Sequence, residues 1–442
     1  MKRIVFDCET DGFLSKLTKI HCLVLRDADD YGTVLSCTNS DRRYPPIKQG
    51  LEVLAQADEI IGHNVLEFDI PALQKVYPDW KPKEGAEVLD TLLFTRVLWP
   101  EIKDGDFARV KLGKMPGSCL MRPHSLESWG YRLGLQKGTY GKGTDWQTWE
   151  QEMQDYCELD TAVNWRLWER IKAKNLDPRC VGLEHEVRAL CTRITKNGFP
   201  FNRQLAQEVL SKVLADKAVI DRQLQAMFPP IERRSTFVPK VNNKTRGYQK
   251  GVPFERVKVE PFNPGSRPQI AERLKDKYGW EPEKFTEGGD AQLNEDVLDA
   301  LPYPEARLLT QGLLLDKRAG SLEGKQGWLN LQVDGKIHGE YVTCGAVTGR
   351  ATHKNPNIAQ VTKKCPRYGK VFRQMFTVPP GWLLVGADMS GLELRCLAAY
   401  LAPFDDGRYV HEVTQGDVHT ANQIAAGLAT RDQAKTFILT LG

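Results

Sequence analysis

The sequence predicts an α/β protein in two parts, a strand-rich front domain closed by a long helix and a largely helical rear that returns to a strand–turn–helix near its end. Three observations predict this. Residues 2 to 8 alternate apolar and polar as a half-buried strand does. Trp149, Met153, Tyr156, Leu159 and Val163 recur at three- and four-residue steps, the spacing of an amphipathic helix over 148–173. At 442 residues the chain is also too long for one ordinary core.

The elements follow in order. HCLVLRD (21–27) and EIIGHN (59–64) read as strands, the second entering a loop and then the helix DIPALQKVY. The helix 148–173 ends the front domain near residue 175, and NLDPRCVG (175–182) reads as a linker. Helices are expected over 184–195, stopped by Asn197-Gly198, and over 203–227. A Pro- and Lys-containing loop spans 229–264. Helices resume over 267–277 and 304–329, the latter interrupted by Gly312 and Gly320. LQVDGKIHGEYV carries an Asp-Gly turn between strands. GWLLVGADMS reads as a buried strand delivering Asp388, and LELRCLAAYL continues as a helix.

Composition narrows the function classes. Apolar residues make up 41% and charged residues 27%, which are globular values. No apolar run approaches eighteen residues and the N-terminus runs straight into a strand, so neither a membrane anchor nor a secretory signal is expected. Ten cysteines lie scattered without a C-x-x-C pair, which points to a reducing cytoplasm and away from structural zinc. The net charge of +4 is unevenly placed. Eight basic residues stand with one acid, Glu255, between Arg233 and Lys258, and five stand without any between Lys363 and Arg373. Such runs are usually solvated surface, but two of them with interleaved aromatics suit a polyanionic partner.

Three acidic clusters carry the chemistry of the front domain. In VFDCETDG, Asp7 and Glu9 leave one face of a strand. HNVLEFDIPAL offers Asp69 at a helix entry, and DYCELD puts Tyr156 and Asp160 on one side of a helix. Singly, D-x-E is common, Asp69 is an ordinary N-terminal acid, and Tyr156 with Asp160 is an ordinary helix face. Four carboxylates in one pocket repel one another unless divalent cations sit among them, and an all-oxygen set suits Mg²⁺ or Mn²⁺. Two such ions can hold an attacking hydroxide and a leaving 3′ oxygen across a phosphodiester, with Tyr156 orienting the water.

In that order, D-x-E, N-x-x-x-x-D and Y-x-x-x-D resemble the tyrosine-bearing DEDD-type 3′–5′ exonuclease domain, over residues 1 to about 175. Asp90-Thr91 with LLFTRVLWP, and SLESWGYRLG (125–134), are similar to that domain in phage DNA polymerases. DMSGLELR (388–395) resembles the D-Y-S-x-I-E-L-R signature of family A, DNA polymerase I-like enzymes. The resemblance implies that Asp388 ligates both catalytic metals, that the Met389 carbonyl completes one site, and that Glu393 closes the space of a ribose 2′ hydroxyl. AVTGRATHKNPNIAQV (346–361) is similar to the T-G-R…P-N-x-Q segment, which implies minor-groove contact at the primer end by Arg350, with Asn357 and Gln360 nearby. FNPGSRPQI and KNGFPFN match the thumb and its base, and the basic run 363–373 reads as a duplex-phosphate contact. His419 in GDVHT, and Arg431 and Lys435 in RDQAKTF, are implied to hold the triphosphate of a deoxynucleotide. Leu439 stands where the family has a stacking aromatic, and no His-Asp-Glu triplet occurs in the chain.

The resemblance is nearest to the bacteriophage T-seven-like branch. It implies a ribonuclease H-like exonuclease domain (1–175), a linker (176–183), a thumb and base (184–330), a partial palm (331–400) and the start of the fingers (401–442), an incomplete right hand. It also implies Mg²⁺ or Mn²⁺ as cofactor, primer-template and single-stranded 3′ ends as partners, and phage replication in the host bacterial cytoplasm. Polymerisation is then expected to need a C-terminal polymerase fragment. A thioredoxin-type processivity factor is not expected, because the loop 229–261 is short. A stand-alone 3′–5′ exonuclease and a non-enzymatic DNA-binding subunit are the rival readings.

Overall fold

In the computed structural model the described residues are 2–14, 16–136, 140, 145–245, 247–285, 289, 291–361 and 367–441. They divide into two units, Met1–Thr377 and Val378–Gly442.

The first unit opens with β1 (Arg3–Thr10), β2 (Ile20–Asp27) and β3 (Val34–Thr38), an antiparallel run. Helix α1 (Ile47–Leu54) leads to β4 (Glu59–Gly62), and α2 (Asp69–Val76) leads to β5 (Glu87–Asp90). β4 pairs parallel with both β1 and β5, giving one sheet in the order β3-β2-β1-β4-β5 with β1 at its centre. The pleat sends Ile4, Phe6 and Cys8 into a core with Ile47, Leu51, Leu54 and Leu73 from α1 and α2. Val5 faces the other way, toward α3 (Thr91–Leu98), α5 (Leu126–Leu133) and α6 (Gln151–Lys172), where Phe94, Trp129, Val163 and Leu167 pack. Between α3 and α5 lies α4 (Ile102–Lys111), whose buried Asp106 pairs with Arg132. Asp7 and Glu9 share the pleat face of Val5, so they look toward α6.

The readings at 21–27, 59–64 and 148–173 hold as β2, β4 and α6. The linker does not hold from residue 178 onward, because α7 (Pro178–Asn197) starts there. Asp177 caps that helix through Arg179 N–H, and Pro178 occupies its first turn, where its missing N–H costs nothing. Gly198, at φ 66°, ends it as the Asn-Gly pair predicts.

Beyond it come β6 (Phe199–Pro200) and α8 (Arg203–Met227), capped by Asn202. The segment 229–264 is no plain loop. It folds as a hairpin of β7 (Ile231–Phe237) and β8 (Phe254–Glu260), and on β8 Arg256, Val257, Lys258 and Val259 alternate cation and β-branched residue in strand fashion. Helices α9 (Arg267–Tyr278), α10 (Glu295–Asp299) and α11 (Pro304–Glu323) follow. Gly312 lies inside α11, where a Cβ would sit 3.6 Å from Ile220 and Leu224 of α8, so it marks helix contact rather than a break. The break comes at Gly324–Gly327, before α12 (Trp328–Leu331).

The Asp-Gly turn forms with φ positive at both residues, 49° and 73°, closing a Val333–Lys336 bridge. β9 (Lys336–Ile337) pairs with β6, while β10 (Glu340–Val342) pairs with β11 (Thr352–Lys354). α13 (Gly369–Gln374) completes a core of Phe201, Val209, Leu322, Trp328 and Phe372.

The second unit holds α14 (Leu392–Asp405), α15 (Arg408–Gln415), α16 (Val418–Ala425) and α17 (Arg431–Leu441). Its entry corrects the sequence reading. Residues 382–385 form no strand and are open to solvent, with Trp382 71%, Leu383 88%, Leu384 62% and Val385 87% exposed. An apolar strand needs neighbours to pair its backbone and cover its faces. The described residues give it none.

Candidate active site

The four acids of the front domain arrive on three elements. β1 carries Asp7 and Glu9 opposite Val24 and Cys22 of β2. On α6, Cys157 donates to the Asp7 backbone oxygen at 3.5 Å and lies 3.7 Å from its Oδ2. Ligating atoms of Asp7, Glu9 and Cys157 all lie within 4.8 Å of one another. Asp160 is one turn further along α6 and only 5% exposed. Tyr156, beside Cys157, packs its ring against Tyr140 and Trp146 at 5.5 and 6.4 Å.

Asp69 comes from the opposite side of β1. It is the first residue of α2, 5% exposed, and accepts the Cys8 thiol proton at 3.3 Å. Burial pushes its carboxyl up to about 7, against the pull of the Cys8 hydrogen bonds and with the Asp90 charge adding to the rise. Cys8, held between Asp69, Asp7 and Glu9, is itself pushed well above the ordinary thiol range, first by burial and then by those charges. Successive residues of β1 therefore face two groups, Asp7 and Glu9 toward Cys157 and Cys8 toward Asp69.

The loop before Asp69 is built for one geometry. Asn64 takes φ 65°, and Asp90, capping α3, accepts from Asn64 N–H at 2.8 Å and Leu66 N–H at 3.4 Å. Ligand atoms of Asp7 and Glu9 lie within reach of each other and of Cys157, a set that a divalent cation fits. Asp69, bonded to Cys8, and Asp160, one turn past Cys157, stand outside that group. The two thiols were not singled out by sequence reasoning, although the signal was present. Cys8 stands between the acids of D-C-E, and Cys157 between Tyr156 and Asp160.

The remaining candidates sit elsewhere. Arg350 and Gln360 are exposed in the irregular chain around β11, with Arg350 O accepting from Ala346 N–H at 3.1 Å to close the Thr-Gly-Arg turn. Of the basic run 363–373, Lys363 and Lys364 lie outside the described residues, while Arg367 pairs with Asp216 at 2.7 Å.

In the second unit Asp388 and Met389 are exposed, and Glu393 lies in the first turn of α14. His419 is on α16, while Arg431 and Lys435 lie one turn apart on α17. Arg431 makes a two-pronged pair with Asp417, the cap of α16, at 3.0 Å to each oxygen. That pair holds the Asp417 carboxyl well below the usual carboxylate range. No helix among the described residues is long and apolar enough to cross a membrane.

Comparison with known proteins matches residues 240–441 to DNA polymerase family A. The DNA-directed DNA polymerases of Escherichia phage T7 and Enterobacteria phage T3 are each 33% identical, covering 98% of this chain and 74% of theirs. The first alignment runs over 532 positions, so the T7 protein carries segments inside it that these 442 residues lack. DNA polymerase I of Chloroflexus aurantiacus is 30% identical over 40% of this chain and 20% of its own length. Among solved structures, the POL domain of Pol1 from M. smegmatis, in complex with DNA primer-template and dNTP, superposes with a TM-score of 0.64. Its sequence identity is 15%, over 99% of this chain and 67% of that one, a likeness of fold.

Proposed function

We propose, from the premise that this chain belongs to DNA polymerase family A, that it serves template-directed DNA synthesis and carries a 3′–5′ excision centre in its first 175 residues. The observation that carries the excision reading is the convergence on β1, where Asp7 and Glu9 meet Cys157 of α6 and the intervening Cys8 binds the buried Asp69. The sheet order β3-β2-β1-β4-β5, antiparallel then parallel, supports a ribonuclease H-like arrangement of that domain.

In the mechanism we infer, Asp7, Glu9, Asp69 and Asp160 would hold two magnesium or manganese ions. Such ions, when bound, stabilise charge on the attacking and leaving oxygens of a phosphodiester. The Tyr156 hydroxyl orients the attacking water, and the packing of its ring on Tyr140 and Trp146 fixes that direction. Asp90 and the left-handed Asn64 keep Asp69 at the end of its loop, so the carboxylate is placed before substrate arrives.

For synthesis, we assign Asp388 and the Met389 carbonyl to metal binding and Glu393 to exclusion of a 2′ hydroxyl. His419, Arg431 and Lys435 receive the triphosphate, and Arg350 and Gln360 the primer end. Two-metal phosphoryl transfer needs carboxylates that span both ions. These 442 residues offer Asp388 and no His-Asp-Glu triplet, so we assign Asp388 as one of the acids that transfer needs and infer that polymerisation needs a further C-terminal polymerase segment. The hairpin β7–β8, with Arg256 and Lys258 exposed on β8, is assigned to DNA rather than to a thioredoxin-type factor. The setting is phage replication in the bacterial host.

The test is degradation of 3′-labelled single-stranded DNA in Mg²⁺. Activity lost in Asp7→Ala and Asp160→Ala supports the reading, and wild-type activity that survives Asp7→Ala sinks it. The exposure of Asp388 favours one second reading, a chain active only in excision. Primer extension restored by a complementary polymerase segment separates the two.

A further inference from the structure

We propose that Arg188, on α7 and outside the front domain, is a positioning residue for the excision centre, acting on Asp69 through Glu67. The proposal rests on the assignment of Asp69 to that centre.

Arg188 is 4% exposed and lies within the span assigned to the thumb and its base. One arm of its guanidinium pairs with Glu67, two residues ahead of Asp69 in the loop that enters α2. The other donates to the Tyr341 carbonyl of β10 at 2.6 Å. Arg96 of α3 donates to the Thr343 carbonyl just past β10 at 3.2 Å, so two guanidiniums take alternate carbonyls along one stretch of chain. That stretch fixes Arg188, and Arg188 fixes Glu67.

One turn earlier on α7, His185 reaches the same loop from its other end. Its Nε2 accepts the Asp90 N–H at 2.8 Å while its Nδ1–H donates to Val181 O at 2.8 Å. Asp90 in turn accepts from Asn64 and Leu66 of the loop. The segment 64–68 is thus held at one end by Asp90, backed by His185, and at the other by Glu67, backed by Arg188. Among the described residues, Arg188 is the ion-pair partner of Glu67.

The guanidinium suits this task because its planar fork serves a carboxylate and a carbonyl at once. A lysine has one head group and a flexible stem, so it keeps one of the two bonds without the fixed angle. A buried cation stripped of its acid is also uncompensated, which drives Arg188 and Glu67 to stay together. Groups that orient a metal ligand without touching the metal alter metal affinity by about 10–100-fold when removed.

The experiment measures Mn²⁺ binding to the full chain without DNA, by loss of the free-ion electron paramagnetic resonance signal. The Mg²⁺ midpoint of single-strand degradation is the second readout. Glu67→Gln and Arg188→Met are each expected to weaken Mn²⁺ binding by about 10-fold. The double variant should be no weaker than the worse single one, since both remove the same link. Arg188→Lys should fall between. Affinities within twofold of wild type for both single variants, or fully additive losses, overturn the proposal. Should Arg188→Met fail to fold, Glu67→Gln and Arg188→Lys carry the test alone. Asp7→Ala, which must abolish the binding, is the control. If it does not, the excision reading itself has failed, whereas an intact control with unmoved variants defeats only the role of Arg188.

Discussion

Replacing Asp69 with Asn turns the electrostatics of the front site into a melting experiment. Burial raises the Asp69 carboxyl from 3.8 to about 7. Each unit is worth about 1.36 kcal/mol, so ionising Asp69 inside the folded chain costs at most about 4 kcal/mol. The sign follows from the folded value lying above the unfolded one. Stability from this group is full below pH 3.8, declines as pH rises, and is gone above about pH 7. Asn carries no charge at any pH. In a chelator at pH 8 the Asn variant should therefore melt higher than wild type, by at most roughly 8–16 °C if a domain of this size gains about 2–4 °C per kcal/mol. At pH 5 the gain should fall by more than half. Mg²⁺ should narrow that gap and close it only at high excess, because a cation bound only by the folded wild type adds about 2.7 kcal/mol at a hundred times its dissociation constant and about 4.1 kcal/mol at a thousand times. Circular dichroism melts of both chains, at both pH values and across a Mg²⁺ titration, supply every number. A variant that melts lower at pH 8 in chelator, beside a wild type indifferent to Mg²⁺, would refute the view that Asp69 is a carboxylate waiting for a cation.

Tyr156→Phe should slow excision by about 100-fold or more while leaving Mn²⁺ affinity unchanged, since the hydroxyl positions water and is no ligand. Equal losses in both readouts would make Tyr156 structural. The purified 442-residue chain should extend no primer by itself, and nucleotide addition in a gel assay would disprove the need for a second acid. Arg256→Ala and Lys258→Ala on β8 should each lower the salt slope of DNA affinity by about one, the signature of a lost phosphate contact. Unchanged slopes would remove the hairpin from the DNA interface.

Local signals made most of the fold legible. Asn202 before α8 and the Asn197-Gly198 stop of α7 act within one turn, and a sequence reader sees that turn whole. The same holds for the Asp-Gly turn at 334–335. Errors arose where a local pattern had two solutions. Pro178 reads as linker punctuation or as the first turn of a helix, and Asp177 decides for the helix. The alternation in FERVKVE was available, but the Pro, Gly and Lys residues before it drew the whole segment into a loop. Trp382–Val385 failed for the opposite reason. Its composition is that of a buried strand, and strand formation depends on neighbours that no local pattern supplies.

The site divides along the same line. Acids at motif spacing announce themselves, because carboxylates are costly to gather and the spacing says which face they share. What surrounds them does not. His185 lies 95 positions from the backbone N–H it accepts, and Arg188 153 positions from the carbonyl it holds, and neither sits in a pattern of its own. Both are ordinary polar residues on a helix until the fold brings α7 against the Asp69 loop. That placement makes the division at residue 175 a boundary of sequence motifs more than of physics. The carboxylates are front-domain residues, yet the loop that aims one of them is braced by side chains assigned to the other function. A change made in α7 with synthesis in mind would then be felt at the excision site, through two atoms of one guanidinium.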